Sequence, residues 1–177
     1  MTLRAKKDNE EIPDVPGVYA FYLKKGCSLG RIEVDESRLL YIGMTKSSLK
    51  ERDHREHTAS SSSTFRRSLG ALLKKSQDKP SLKAIPRGLG GSSKDFTNYR
   101  FKDSDEKGLT DWMKKNLEYK FEIVENNIEQ RERTLISELH PPLNLTNLGG
   151  WRNEQKAFVK SLRRICRDEA KRSVGYE

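Results

Sequence analysis

Glu132 is a carboxylate in a place where carboxylates need company. Residues 128 to 140 predict a helix, stopped by Pro141-Pro142. At about 100° per residue, Ile128, Leu135, Ile136 and Leu139 form one apolar stripe with Glu132 near its middle, while Glu129 and Glu138 sit at or beyond its edges. An inward carboxylate without a partner costs on the order of several kcal/mol, so Glu132 must meet a cation, hydrogen-bond donors or a metal. A buried salt bridge to an arginine and a functional site both meet that requirement.

Other side chains capable of chemistry say less on their own. His54 and His57 have the i, i+3 spacing of a metal pair, with no further ligand nearby in sequence. Cys27 and Cys166 fall outside any CxxC or Cys/His metal spacing, which argues against a disulfide framework or zinc site and for a reducing cytoplasm. Tyr19 and Tyr41, taken singly, are ordinary strand aromatics. The charge balance is more telling: 35 Lys and Arg against 26 Asp and Glu leave a net +9, with a pI near 9.5. That excess points to a polyanionic partner, most commonly nucleic acid, with an anionic membrane surface or plain solubility as the other readings. It concentrates in two places. Arg66, Arg67, Lys74 and Lys75 flank an apolar helix face, and residues 152 to 172 carry eight Lys and Arg, among them Arg163, Arg164 and Arg167, against three acids.

The elements that must position these groups follow from pattern. The 177 residues suffice for one domain with an unstapled core. Residues 1 to 15 read as an extended lead-in, ending in the proline-bearing run before Gly17. Val18 to Leu23 and Arg38 to Met44 read as strands, joined by a long hairpin connection with a short strand of its own around Ile32 to Val34. Ser47 or Ser48 is a candidate N-cap for a helix from Leu49 to His57. Thr64 starts a second helix on which Phe65, Leu69, Leu72 and Leu73 recur at helical spacing. Residues 76 to 104 look like a long surface loop, either a disordered insertion or a substrate contact. Leu109, Trp112, Met113 and Leu117 mark a short helix as core, and Tyr119, Phe121 and Ile123 alternate as a half-buried third strand. Asn153 to Arg172 predicts a charged helix with Phe158, Val159, Leu162, Ile165 and Cys166 as its apolar stripe. No run approaches the roughly 20 apolar residues that span a bilayer, and the charged N-terminus has no apolar leader, so a soluble cytoplasmic protein is expected.

Gly17-Val18-Tyr19 opening the first strand and Tyr41-Ile42-Gly43 in the second resemble the two halves of the GIY-YIG nuclease signature. Each tripeptide alone is weak. The ordered set is specific: Arg52 follows Tyr41-Ile42-Gly43, Glu132 stands on a later helix, and Pro141-Pro142-Leu143-Asn144 comes after it. The resemblance covers residues 16 to 147 and leaves 148 to 177 as a basic C-terminal helix packed on that domain.

The resemblance implies an α/β (α+β) fold with a small, mostly antiparallel three-stranded sheet flanked by helices. It also implies a metal-dependent endonuclease that cuts nucleic acid, with DNA the expected substrate. The alternative is a catalytically silent nucleic-acid-binding module of the same fold. In this reading Glu132 holds one divalent metal, Mg²⁺, a hard ion suited to carboxylate and phosphate oxygens. Arg52 stabilises the pentacovalent phosphate, Tyr19 is the general base, Tyr41 bonds water or phosphate, and Asn144 orients backbone or substrate. Lys46 reaches the phosphate, because the position after Gly43 is Met44 where many members have lysine. Many members also place a histidine four residues after the arginine; here that residue is Glu56. His57 is preferred for the role, although on a regular helix it lies about 140° around from Arg52, and His54, four residues after Lys50, is the competing choice. Arg66, Arg67, Arg163, Arg164 and Arg167 are expected to contact nucleic acid. DNA against RNA, the sequence cut and the oligomeric state stay open.

Overall fold

The computed structural model describes residues 3–5, 11–55, 59–79, 81–146 and 152–176. Three strands, β2 (Gly17–Leu23), β3 (Leu39–Thr45) and β6 (Leu117–Ile123), form an antiparallel sheet with β2 in the centre, and the two-residue β1 (Arg4–Ala5) lines the outer edge of β6. This is the expected α+β class and antiparallel sheet. Every residue of β2 is buried, because both of its faces are covered. Tyr19, Phe21 and Leu23 pack with the helices α1 (Thr64–Lys75), α3 (Asp103–Asn116) and α5 (Lys156–Arg172). Val18, Ala20 and Tyr22 pack against Ile128, Leu135 and Ile136 of α4 (Ile128–Leu139). A bulge opposite Phe21 and Tyr22 pairs Tyr22 with Leu39 and leaves Leu40 extra. It reverses the alternation of β3, so that Leu40 joins the first face and Leu39 the second.

The periodic helices form where expected. Ser63 caps α1 by accepting from the Arg66 amide, and Phe65, Leu69, Leu72 and Leu73 are all buried. Three apolar residues expected inside are exposed: Ile123, Leu139 and Ile165. Each sits at an element end or stripe edge, where one residue's rotation decides burial.

Two regions differ from expectation. No strand forms around Ile32 to Val34, although Ile32 is buried. Residues 76 to 104 are a packed insertion, with β4 (Ala84–Ile85) paired to β5 (Arg100–Phe101) around α2 (Ser93–Thr97). Leu82, Phe96, Tyr99 and Phe101 from this insertion join the main core, and Ser92 and Asp95 close a reciprocal capping box on α2. No helix among the described residues is long and apolar enough to cross a membrane.

Candidate active site

The expected helix from Leu49 to His57 does not form. Residues 46 to 55 are a series of turns. Thr45 and Ser48 act as caps, but each closes only one turn: Thr45 Oγ1 accepts from the amides of Ser47 and Ser48, and Ser48 Oγ from that of Glu51. The segment is pinned from several sides. Leu49 donates its amide to the Val15 carbonyl and accepts from the Tyr119 hydroxyl, which bonds its carbonyl at 3.0 Å. Asp53, buried, takes both ends of the Arg55 guanidinium at 2.8 Å.

With the helix gone, the four-residue rule no longer ranks the histidines. His54 turns inward and its Nε2 lies 2.9 Å from the Tyr19 hydroxyl. His57 lies outside the described residues. The His54 main chain is held by Arg66, whose guanidinium donates to its carbonyl at 2.6 Å and to Glu106 Oε2 at 2.8 Å. Arg66 is only 1% exposed. Glu106 in turn accepts from the amides of Ser60 and Phe101, so the insertion, α3, α1 and the His54 turn share one polar knot.

Tyr19 stands in a cluster of rings: Tyr119 is stacked at 5.9 Å, Tyr41 lies at 6.3 Å and the His54 ring at 5.5 Å. Phe65 of α1 stacks on Phe21 at 4.6 Å and on Tyr41 at 5.0 Å, closing the far side. The phenol crosses Gly43, where a Cβ would stand 2.6 Å from Tyr19 Cζ and Oη. At Gly17 a Cβ would meet the Glu122 carbonyl of the neighbouring strand and Leu49. The glycines of both tripeptides therefore have steric reasons, one of them the placement of the tyrosine itself.

The charges around this hydroxyl oppose one another. Burial, followed by Tyr41, holds the Tyr19 pKa well above the ordinary phenol value; Arg52 pulls it down and Glu132 pushes it up. Tyr41, half-buried, is raised to about 12, mostly by burial, then by Glu132, with Arg52 again opposing. His54 is pushed down to about 3 by burial first and then by Arg52 and Arg66, so its imidazole is neutral near pH 7. Its Nδ1 is buried without a partner among the described residues. Arg52 itself is exposed. Glu132 is half-buried on α4, with a pKa raised by burial and opposed by its neighbour Arg133. It forms no ion pair among the described residues, so the salt-bridge account of its inward position is not what the structure shows.

Asn144 is buried at the turn after α4. Its Oδ1 accepts from the Ile42 amide at 2.9 Å and its Nδ2 donates to the Ile42 carbonyl at 2.7 Å. Both ends serve the strand that carries Tyr41, so Asn144 orients backbone. Lys46 is exposed beside α4 and pairs with Glu129 at 2.7 Å, an exposed contact that a phosphate can displace.

The basic flank expected on α1 is corrected. Arg66 and Arg67 are buried, Arg67 donating to the Ser60 and Ser61 carbonyls at 2.7 and 2.9 Å. Their partners are main-chain carbonyls, the Thr64 and Thr110 hydroxyls and a distant glutamate, most of them set by the fold and not by local pattern. Arg163, Arg164 and Arg167 lie on the outer side of α5, half-buried or exposed.

The model of the GIY-YIG catalytic domain matches residues 17–167, from the first glycine of β2 into α5. No curated relative and no solved structure gives a significant match.

Proposed function

The chain belongs to the GIY-YIG catalytic-domain family, and from that membership we propose that it is a metal-dependent endonuclease hydrolysing the phosphodiester bonds of DNA. The observation that carries the proposal is the Tyr19 hydroxyl, 2.9 Å from a buried, neutral histidine and under the opposed charges of Arg52 and Glu132. An ordinary strand tyrosine has no use for such surroundings.

Glu132 fits a single hard cation. It is one partly desolvated carboxylate without an ion pair, and no group of three or more His, Cys, Asp and Glu fit for a metal exists among the described residues. Mg²⁺ suits such a site, since it keeps several waters and binds through one or two carboxylates and the substrate's phosphate. Glu132 would hold such a cation, which would supply positive charge beside the tyrosines and toward a nonbridging phosphate oxygen.

The residues themselves do the rest. Arg52 places its fork of donors on the scissile phosphate, where charge builds as the fifth bond forms. Pairing with phosphate also neutralises one of the two cations that depress His54. Tyr19 then takes the proton of the attacking water while its own proton passes to His54 Nε2. That direction requires the imidazole proton on Nδ1, a tautomer inferred from the contact. Tyr41 bonds water or phosphate beside Tyr19, and Lys46 exchanges Glu129 for a neighbouring phosphate. His54 takes the histidine role in place of His57.

The test is plasmid nicking by the purified protein with and without Mg²⁺, repeated with His54→Ala. Loss of at least a hundredfold in rate with His54→Ala supports the assignment; a wild-type rate from folded His54→Ala refutes the role of His54.

A further inference from the structure

A concavity lined by basic side chains lies outside the residues of this chemistry. A groove of about 540 Å³ runs between α5 and the insertion. Lys160, Arg163, Arg164 and Arg167 line one wall, Thr97 the other, and Tyr99 the floor. No acid lines it, nor do Tyr19, Tyr41, Arg52, His54 or Glu132. Of the four cations Arg167 is matched by its neighbour Asp168 at 2.9 Å, whereas Lys160, Arg163 and Arg164 carry no ion pair among the described residues.

A fifth cation lies behind them. Arg67 is buried close enough to Arg163 that burial first, and Arg163 next, bring its pKa down to about 10. Lys160, Arg163 and Arg164, with Arg67 behind them, are like charges gathered around one concavity, where they repel one another. A polyanion relieves that repulsion.

The lining also says which part of a polyanion fits. Single-strand channels expose aromatic faces on which bases stack, but Tyr99 is 1% exposed and its hydroxyl is spent on the Arg67 carbonyl at 3.0 Å. What remains is guanidinium, ammonium and hydroxyl donors, the set that meets phosphate and sugar and carries no base information.

We propose that this groove is a second nucleic-acid site, a cradle for the phosphate backbone of duplex DNA that adds affinity without reading sequence. It deepens the nuclease reading and rests on it for the nature of the polyanion. The insertion supplies the second wall, which gives the folded segment 76–104 a role in substrate binding. The groove is also joined to the reacting cluster: its floor bonds the main chain of Arg67, next to the Arg66 that holds His54.

The experiment is a salt titration of binding to a fluorescent 25-base-pair duplex and to a single strand of the same length, without divalent metal so that nothing is cut. The variants are K160Q/R163Q/R164Q and, on the opposite wall, Thr97→Glu. The second leaves the packing of α5 untouched and keeps the test valid should the triple variant fold poorly. The triple variant is expected to lower the slope of log affinity against log salt by about 2 to 3, near 0.9 for each phosphate that is no longer neutralised, and to weaken duplex binding at least tenfold. Thr97→Glu weakens it in the same direction, and both variants lose duplex affinity alike on two unrelated sequences. Wild-type affinity and slope in folded variants overturn the proposal, as does a loss confined to the single strand or to one sequence. Plasmid nicking by the wild type runs in parallel. Nicking with unaffected binding by the variants removes the groove and leaves the nuclease; altered salt slopes without nicking support the groove and remove the nuclease.

Discussion

Removing the carboxylate of Glu106 should unsettle both the fold and the chemistry. The side chain is 14% exposed and faces an arginine that is 1% exposed. In Glu106→Ala the Arg66 guanidinium keeps the His54 carbonyl and the Thr110 hydroxyl but loses its counter-charge. An uncompensated buried charge costs about 3–5 kcal/mol. The amides of Ser60 and Phe101 lose their acceptor as well, so the upper half of that range is expected. For a chain of this size it corresponds to a melting temperature lower by about 10 to 20 °C. Urea unfolding gives the free energy directly, and Arg66→Met/Glu106→Leu closes the comparison. With both charges gone the pair should recover much of the loss, because the penalty lies in stranding one partner. A Glu106→Ala cost below about 1 kcal/mol, or a double variant as unstable as the sum of the singles, would mean that the carboxylate does not hold Arg66 in this way.

Three further outcomes follow from the same geometry. Gly43→Ala puts a methyl where the Tyr19 phenol lies; displacing that hydroxyl by about 1 Å should slow single-turnover cleavage roughly a hundredfold, and an unchanged rate would show that the contact with His54 is not used. His54 has a folded pKa of about 3 against 6.5 unfolded, so it contributes full stability above pH 6.5 and loses it as pH falls toward 3, by about 5 kcal/mol over that window at 1.4 kcal/mol per tenfold change in proton affinity. His54→Gln should flatten that part of the stability curve in urea titrations, and an identical slope would mean that the imidazole is solvated. Asn144→Ala strips both bonds from Ile42; a cost of about 1–3 kcal/mol in urea unfolding is expected, with the rate following the fraction folded.

Much of the sheet and its helices was legible because burial imposes period. β2, β3 and β6 are dense in branched and aromatic residues, and α1, α4 and α5 repeat apolar residues at helical spacing. Glu132 was legible for the same reason, as a charge on a buried stripe. Local pattern failed where tertiary contacts override it. Ser47 and Ser48 are good caps, but here Thr45 takes both of their amides and Ser48 closes only one turn, onto the Glu51 amide, because Leu49 is drawn into the core and it and Lys50 bond the lead-in. That difference also removes the helical angles by which the two histidines were compared, and it turns His54 toward Tyr19. The insertion escaped notice because its strands have two residues each, and its burial comes from α5, far along the chain. Arg66 and Arg67 looked like surface charge because Glu106 and the carbonyls they meet are set by the fold alone.

If Tyr19 and Glu132 serve one metal-dependent hydrolysis, cleavage of supercoiled plasmid will show it. The assay compares the wild type, Tyr19→Phe and Glu132→Ala with and without Mg²⁺, each protein first shown to be folded and to bind duplex DNA in metal-free buffer. The wild type should cleave only with the cation, Tyr19→Phe should lose most of the rate, and Glu132→Ala should cleave nothing detectable at near wild-type affinity. Undiminished cleavage by folded Glu132→Ala, or by the wild type in chelator, would rule out the shared hydrolysis.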